Sequence, residues 1–188
     1  MIDAGIQVGV VYPQIELGGE ADAVRAIGDA IEAQGYRHLV AYDHVLGAEQ
    51  ADRQPELTGP YDENDPFHDP FVLFAYLAGR SNTLEFASGV LILPQRQTAL
   101  VAKQAADLAV LSGNRLRLGV GVGWNWVEYE ALGEDFATRG QRANEQIELL
   151  RRYWTEPTVS FAGRFDRVAR AGIVPRPSVP PPVWVGGF

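Results

Sequence analysis

The sequence predicts an α/β fold in which helices cover a parallel sheet. Three observations carry this reading. Apolar, β-branched runs recur along the chain, stretches of helical periodicity separate them, and each crossover is long enough to bring the next strand back parallel. Two layouts satisfy the pattern: an open doubly wound sheet, or part of a (β/α)8 barrel.

The run IQVGVVYP (6–13) reads as the first strand, closed by Pro13. Val24, Ile27, Gly28 and Ile31 then recur at helical spacing until Gly35 stops the pattern. HLVAYDH (38–44) is the second strand. Asp69 before Pro70 has the form of an N-cap with proline at the first helical position, and Phe71, Phe74, Ala75 and Ala78 share a face of the helix that follows. LEFASGVLIL (84–93) is the third strand, ended by Pro94. Leu100, Val101, Gln104, Ala105, Leu108 and Leu111 fall on a helix ending near Gly113. LRLGVGVGWN (116–125) holds the fourth strand, a helix over about 139–154 turns Ala143, Ile147, Leu150 and Trp154 inward, and PPPVWVGGF closes on a fifth strand. Two segments break the rhythm. Residues 47–68 form a long polar loop at the end of a strand, where such loops usually bind or cover ligands. VSFAGRFDRV alternates around Ala162-Gly163 as a small hairpin would.

Composition narrows the function. A net charge of −8 argues against nucleic acid or an anionic membrane as the main partner. With no cysteine, disulfides and thiolate metal sites are excluded. The N-terminus lacks a leader pattern and no stretch approaches the ~20 apolar residues of a membrane span. A single cytoplasmic domain over 1–188 is expected, with a small-molecule substrate as partner and a homo-oligomer left open.

Gly119, Gly121 and Gly123 do not make a dinucleotide-binding turn. The third glycine comes one position early, Trp124 stands in its place, and the motif follows the fourth strand instead of the first. As a strand, the segment turns Leu116, Leu118, Val120 and Val122 toward the helices and the glycines the other way. Space for a flat cofactor is favoured there over close packing against Tyr12 or Phe86. Asp43-His44 ends the second strand, where barrel enzymes place working residues, although a lone histidine is commonly structural. His38 and His68 have no metal-site spacing to His44, so no metal is expected. Asn125 follows the glycine strand, either as a ligand contact or as a helix N-cap.

Taken together, AYDHV (41–45), SGVLILPQR (88–96), residues 102–133, RGQRANEQIELLRRYW (139–154) and PPPVWVGG resemble the luciferase-like monooxygenase family, in its coenzyme F420-dependent branch. The resemblance implies a (β/α)8 TIM-barrel with a flavin or deazaflavin across the C-terminal strand ends. It implies that Asp43 and His44 form an acid–histidine pair beside the reactive ring edge, with Asp43 orienting His44 as proton donor or acceptor. Ser88, Gly89 and Val90 match a third-strand bulge that often carries a non-proline cis peptide behind the ring. Asn125 matches a cofactor-contacting asparagine, and Gly186 and Gly187 a backbone contact on the fifth strand. Relatives that oxidise a sugar phosphate carry a glutamate where Val122 stands and a tryptophan near Ala48, so that substrate is not expected. The function implied is an F420-dependent oxidoreductase moving hydride to or from an organic substrate. The alternatives are an FMN-dependent monooxygenase and a non-catalytic barrel fragment. Because the readable strands end at the fifth, the chain resembles a truncated member that would associate and would hold cofactor weakly.

Overall fold

The computed structural model describes residues 6–186. Its parallel sheet runs β1 (Gly9–Val11), β2 (His38–Ala41), β3 (Glu85–Ser88) with its continuation β4 (Leu91–Ile92), β5 (Leu116–Gly121), and β8 (Val183–Val185). Each strand lies beside its predecessor in this order, and every pairing is parallel. A doubly wound sheet would reverse its order partway. This sheet does not, so the architecture is a partial barrel.

The helices follow the expected signals. α1 (Ala21–Ala33) buries Val24, Gly28 and Ile31. α2 (Pro70–Ala78) starts where Asp69 Oδ1 accepts hydrogen bonds from the N–H groups of Phe71 and Val72, at 2.9 and 3.1 Å. Its buried face uses Phe71, Phe74, Leu77 and Ala78; Ala75, expected there, is exposed. Gly28 lets α1 approach the Leu77 side chain closely. α3 (Thr98–Leu111) packs on α5 (Arg139–Thr155), where the Trp154 indole N–H donates to the Ala102 carbonyl at 3.0 Å. The short α4 (Trp126–Ala131) was not anticipated from periodicity, which a six-residue helix can hardly display. β6 (Val159–Ala162) and β7 (Arg167–Ala171) form the expected antiparallel hairpin.

The third strand differs most from what its apolar pattern alone gives. That pattern gives a single run over 84–93, but the chain departs from the ladder at Gly89–Val90, a cis peptide bond, before resuming as β4, at the bulge that the family resemblance implies for Ser88, Gly89 and Val90. Ala87 pairs with Arg117, yet Leu91 pairs with Val120. Four steps on one strand answer three on the other, the signature of a β-bulge. Beneath it lies the core, with Leu39, Phe86, Leu116, Leu118 and Val120 on the helix-facing side of the sheet.

Candidate functional site

A cavity of about 600 Å3 opens at the C-terminal ends of β2, β4, β5 and β8. Gly89, Val90, Gly121 and Gly186 line one part of it; Asp43, His44, Tyr61 and Trp124 line another. Its size lies within the usual range for small-molecule sites, ~300–1,000 Å3.

The bulge fills most of the glycine face, which corrects the expectation of open space. A Cβ at Gly119 would overlap the Ser88 carbonyl oxygen, and one at Gly121 would overlap Val90 Cγ2. At Gly186 it would come within 2.7 Å of Val90 Cγ1. The glycines therefore serve close packing, but their partner is the bulge and not Tyr12 or Phe86. Val90 sits with its two methyl groups against glycines of two other strands. That cradle leaves an apolar surface beside the cavity, which fits the face of a planar ring.

Asp43 and His44 are brought together with other residues than expected. The Asp43 side chain is fully buried; Oδ1 accepts from Arg96 Nη2 at 2.6 Å and Oδ2 from the Ile92 N–H at 2.8 Å. Burial pushes this carboxyl up, opposed by Arg96 and by that N–H. Arg96 also holds Asp69 at 3.0 Å. Burial pulls its guanidinium down, and the two carboxylates more than offset this and keep it charged. Asp43 thus fastens β2 to the strand resuming after the bulge. It does not orient His44, because its oxygens face Arg96 and Ile92.

His44 pairs with Glu128 instead. Its Nδ1 lies 3.2 Å from Glu128 Oε1, which also accepts from the N–H groups of Val45 (2.8 Å) and Leu46 (3.2 Å). Gln95 Nε2 donates to Oε2 at 3.2 Å. Burial alone would push Glu128 up; the hydrogen bond and proximity of His44, then Val45 and Gln95, leave it below the usual carboxylate range. Three aromatic rings surround the imidazole edge-on: Phe67 at 4.8 Å, Tyr61 at 5.2 Å and Trp124 at 5.7 Å between centroids. Tyr61 and Phe67 belong to the 47–68 loop, which therefore folds over the site and is no solvated excursion. Gly59 allows it to lie against the Trp124 ring.

The remaining expected residues divide. Gly89, Val90 and Gly186 line the cavity. Ser88 is buried and donates from Oγ to the Gly119 carbonyl at 2.7 Å, pinning β3 to β5. Asn125 is buried as the N-cap of α4, its Oδ1 accepting from Val127 N at 3.1 Å and Glu128 N at 3.4 Å. Gly187 lies outside the described residues. Sequence reasoning missed Arg96, Tyr61, Phe67 and Glu128. For Glu128 a signal existed: Asn125-x-x-Glu128 has capping-box spacing. A capping-box glutamate turns back to its own N-cap, whereas this one reaches His44, Val45 and Leu46.

Fold and site together define an α/β half-barrel with a ring-sized cavity and a buried histidine–carboxylate pair. The luciferase-like monooxygenase family matches residues 4–188, and the chain belongs to that family. An uncharacterized protein of Mycobacterium tuberculosis is 39% identical over 166 residues, covering 86% of this chain and 57% of that protein. An F420-dependent hydroxymycolic acid dehydrogenase of the same organism is 28% identical, covering 95% and 46%. An FMNH2-dependent dimethylsulfone monooxygenase of Pseudomonas fluorescens is 30% identical, covering 80% and 42%. The chain thus spans about half the length of these relatives. The crystal structure of monooxygenase RslO1 from Streptomyces bottropensis superposes with a TM-score of 0.79 at 20% identity, over 96% of this chain and 53% of that one. Among the described residues, no helix is long and apolar enough to cross a membrane.

Proposed function

We propose that this chain forms the ring-binding site of a coenzyme F420-dependent oxidoreductase acting on a small organic substrate in the cytoplasm. The observation that carries the reading is the cavity between the Val90 cradle and the His44–Glu128 pair. Gly89, Val90, Gly121 and Gly186 would hold the ring. When bound, the deazaflavin supplies two-electron hydride chemistry. The protein's own contribution is position and proton handling. Glu128 is an acceptor, so the neutral imidazole carries its hydrogen on Nδ1 and leaves Nε2 to take a proton or, once protonated, to give one. Tyr61, Phe67 and Trp124 shield that exchange from bulk water. The F420-dependent relative supports this choice of cofactor.

A second reading, an FMN-dependent monooxygenase, draws on the FMNH2-dependent relative. Fluorescence titration of the purified chain with F420 and with FMN separates the two. Val90→Glu is expected to abolish binding of the preferred cofactor. His44→Ala is expected to keep binding but lower turnover by ~10²–10⁴. Binding of neither cofactor, or undiminished turnover without His44, would refute the reading.

A further inference from the structure

Glu128 occupies the third position of α4, where a glutamate ordinarily serves the helix that carries it. Here it is almost wholly buried and gathers four nitrogens, none of them from α4 itself: His44 Nδ1, the N–H groups of Val45 and Leu46, and Gln95 Nε2. Three of these come from consecutive residues just past β2. A carboxylate that spanned the gap only to fasten a loop would be satisfied by Val45 and Leu46. The additional imidazole contact fixes which ring nitrogen carries hydrogen, since an ionised carboxylate can only accept.

We propose that Glu128 is the positioning residue of His44. It holds the ring in the Nδ1–H tautomer and directs Nε2 to the work, while its bonds to Val45 and Leu46 keep the backbone that carries the ring in place. This rests on His44 being the proton-transfer group, and it assigns to Glu128 the orienting role that the family resemblance implies for Asp43. When His44 takes a proton at Nε2, both ring nitrogens become donors and Glu128 lies opposite the new positive charge. No bond to Glu128 need form or break.

Gln95 makes a discriminating variant available. Its Oε1 is buried without a partner. In Glu128→Gln the new amide oxygen still accepts from His44, Val45 and Leu46, and rotation of the Gln95 amide lets its Oε1 accept from the new amide nitrogen. Geometry survives and the charge is lost. Glu128→Ala loses both.

The chain has three histidines, so nitrogen-15 NMR of the imidazole rings is tractable, with His44→Ala assigning the signal. Neutral His44 is expected to carry its hydrogen on Nδ1, against the Nε2–H preference of a free histidine side chain. Glu128→Gln keeps that tautomer, and Glu128→Ala shifts it toward Nε2–H. Turnover with the bound cofactor falls at least ~10–100-fold in Glu128→Ala, mainly in kcat, the size of loss seen when a metal-bound histidine loses its orienting carboxylate. A wild-type ring with its hydrogen on Nε2, or a tautomer unchanged in Glu128→Ala, overturns the proposal. If Glu128→Ala does not fold, the wild-type and Glu128→Gln spectra decide. The tautomer is read without cofactor, so failure of the proposed function leaves this result standing, and the reverse also holds.

Discussion

Adjacent in sequence, Asp43 and His44 part company in space, each taking a partner from a later segment. Arg96 sits 53 residues beyond Asp43, and Glu128 84 residues beyond His44. Asp43→Ala would leave Arg96 half-paired in a buried setting and the Ile92 N–H without an acceptor. Breaking a buried pair costs ~3–5 kcal/mol, and the low end is expected because Asp69 still holds one side of the guanidinium. Urea unfolding measures this, while the His44 tautomer is expected to stay as in the wild type. A tautomer change with little loss of stability would restore Asp43 as the orienting acid. That His44 stands at a strand end was legible from the sequence, because strand ends follow from periodicity. Its partners were not, because pairing across more than 50 residues depends on how helices and loops return over the sheet.

Among the elements, the bulged third strand and the hairpin behave differently under perturbation. Gly121→Ala places a methyl group into Val90, and overpacking of this kind typically costs ~1–3 kcal/mol. The loss is expected in thermal unfolding without cofactor; loss of ligand affinity with unchanged stability would favour open space on the glycine face after all. The β6–β7 hairpin is fastened to α5 by Glu145, whose carboxylate accepts from the N–H groups of Arg164, Phe165 and Asp166 at 2.7–2.9 Å. Burial would push Glu145 up, but these three donors take it below the usual carboxylate range. Its folded value being depressed, the contribution is present above the unfolded value and is lost as pH falls through the folded one. The protection of those three amides against hydrogen exchange, taken relative to the intrinsic rate at each pH, is therefore expected to fall on acidification below the ordinary carboxylate range, and to be low at all pH values in Glu145→Ala. Most elements could be read from the sequence by apolar period and proline or glycine stops. The apolar pattern alone hides the bulge, because a one-residue register slip leaves the run 84–93 unbroken; only the family resemblance at Ser88, Gly89 and Val90 points to it.

For the molecule as a whole, the sheet is open among the described residues. β1 and β8 each pair on one side only, and Val11, Trp184 and Val185 on these strands are exposed. Unpaired strand edges template association. The 188-residue chain by itself is expected to show concentration-dependent association in light scattering, weakened by Val185→Lys. A monodisperse monomer at high concentration would show that these edges are protected.

The seat of Val90 constrains the order in which this site can change over generations. Positions 90, 121 and 186 lie in distant parts of the chain but share one small volume. A lineage that acquires a side chain at 121 or 186 while valine remains passes through an overfilled ancestor. One that first trims Val90 to alanine passes through a small void and meets no overlap. A route to a differently shaped floor that avoids the overfilled ancestor therefore starts at Val90.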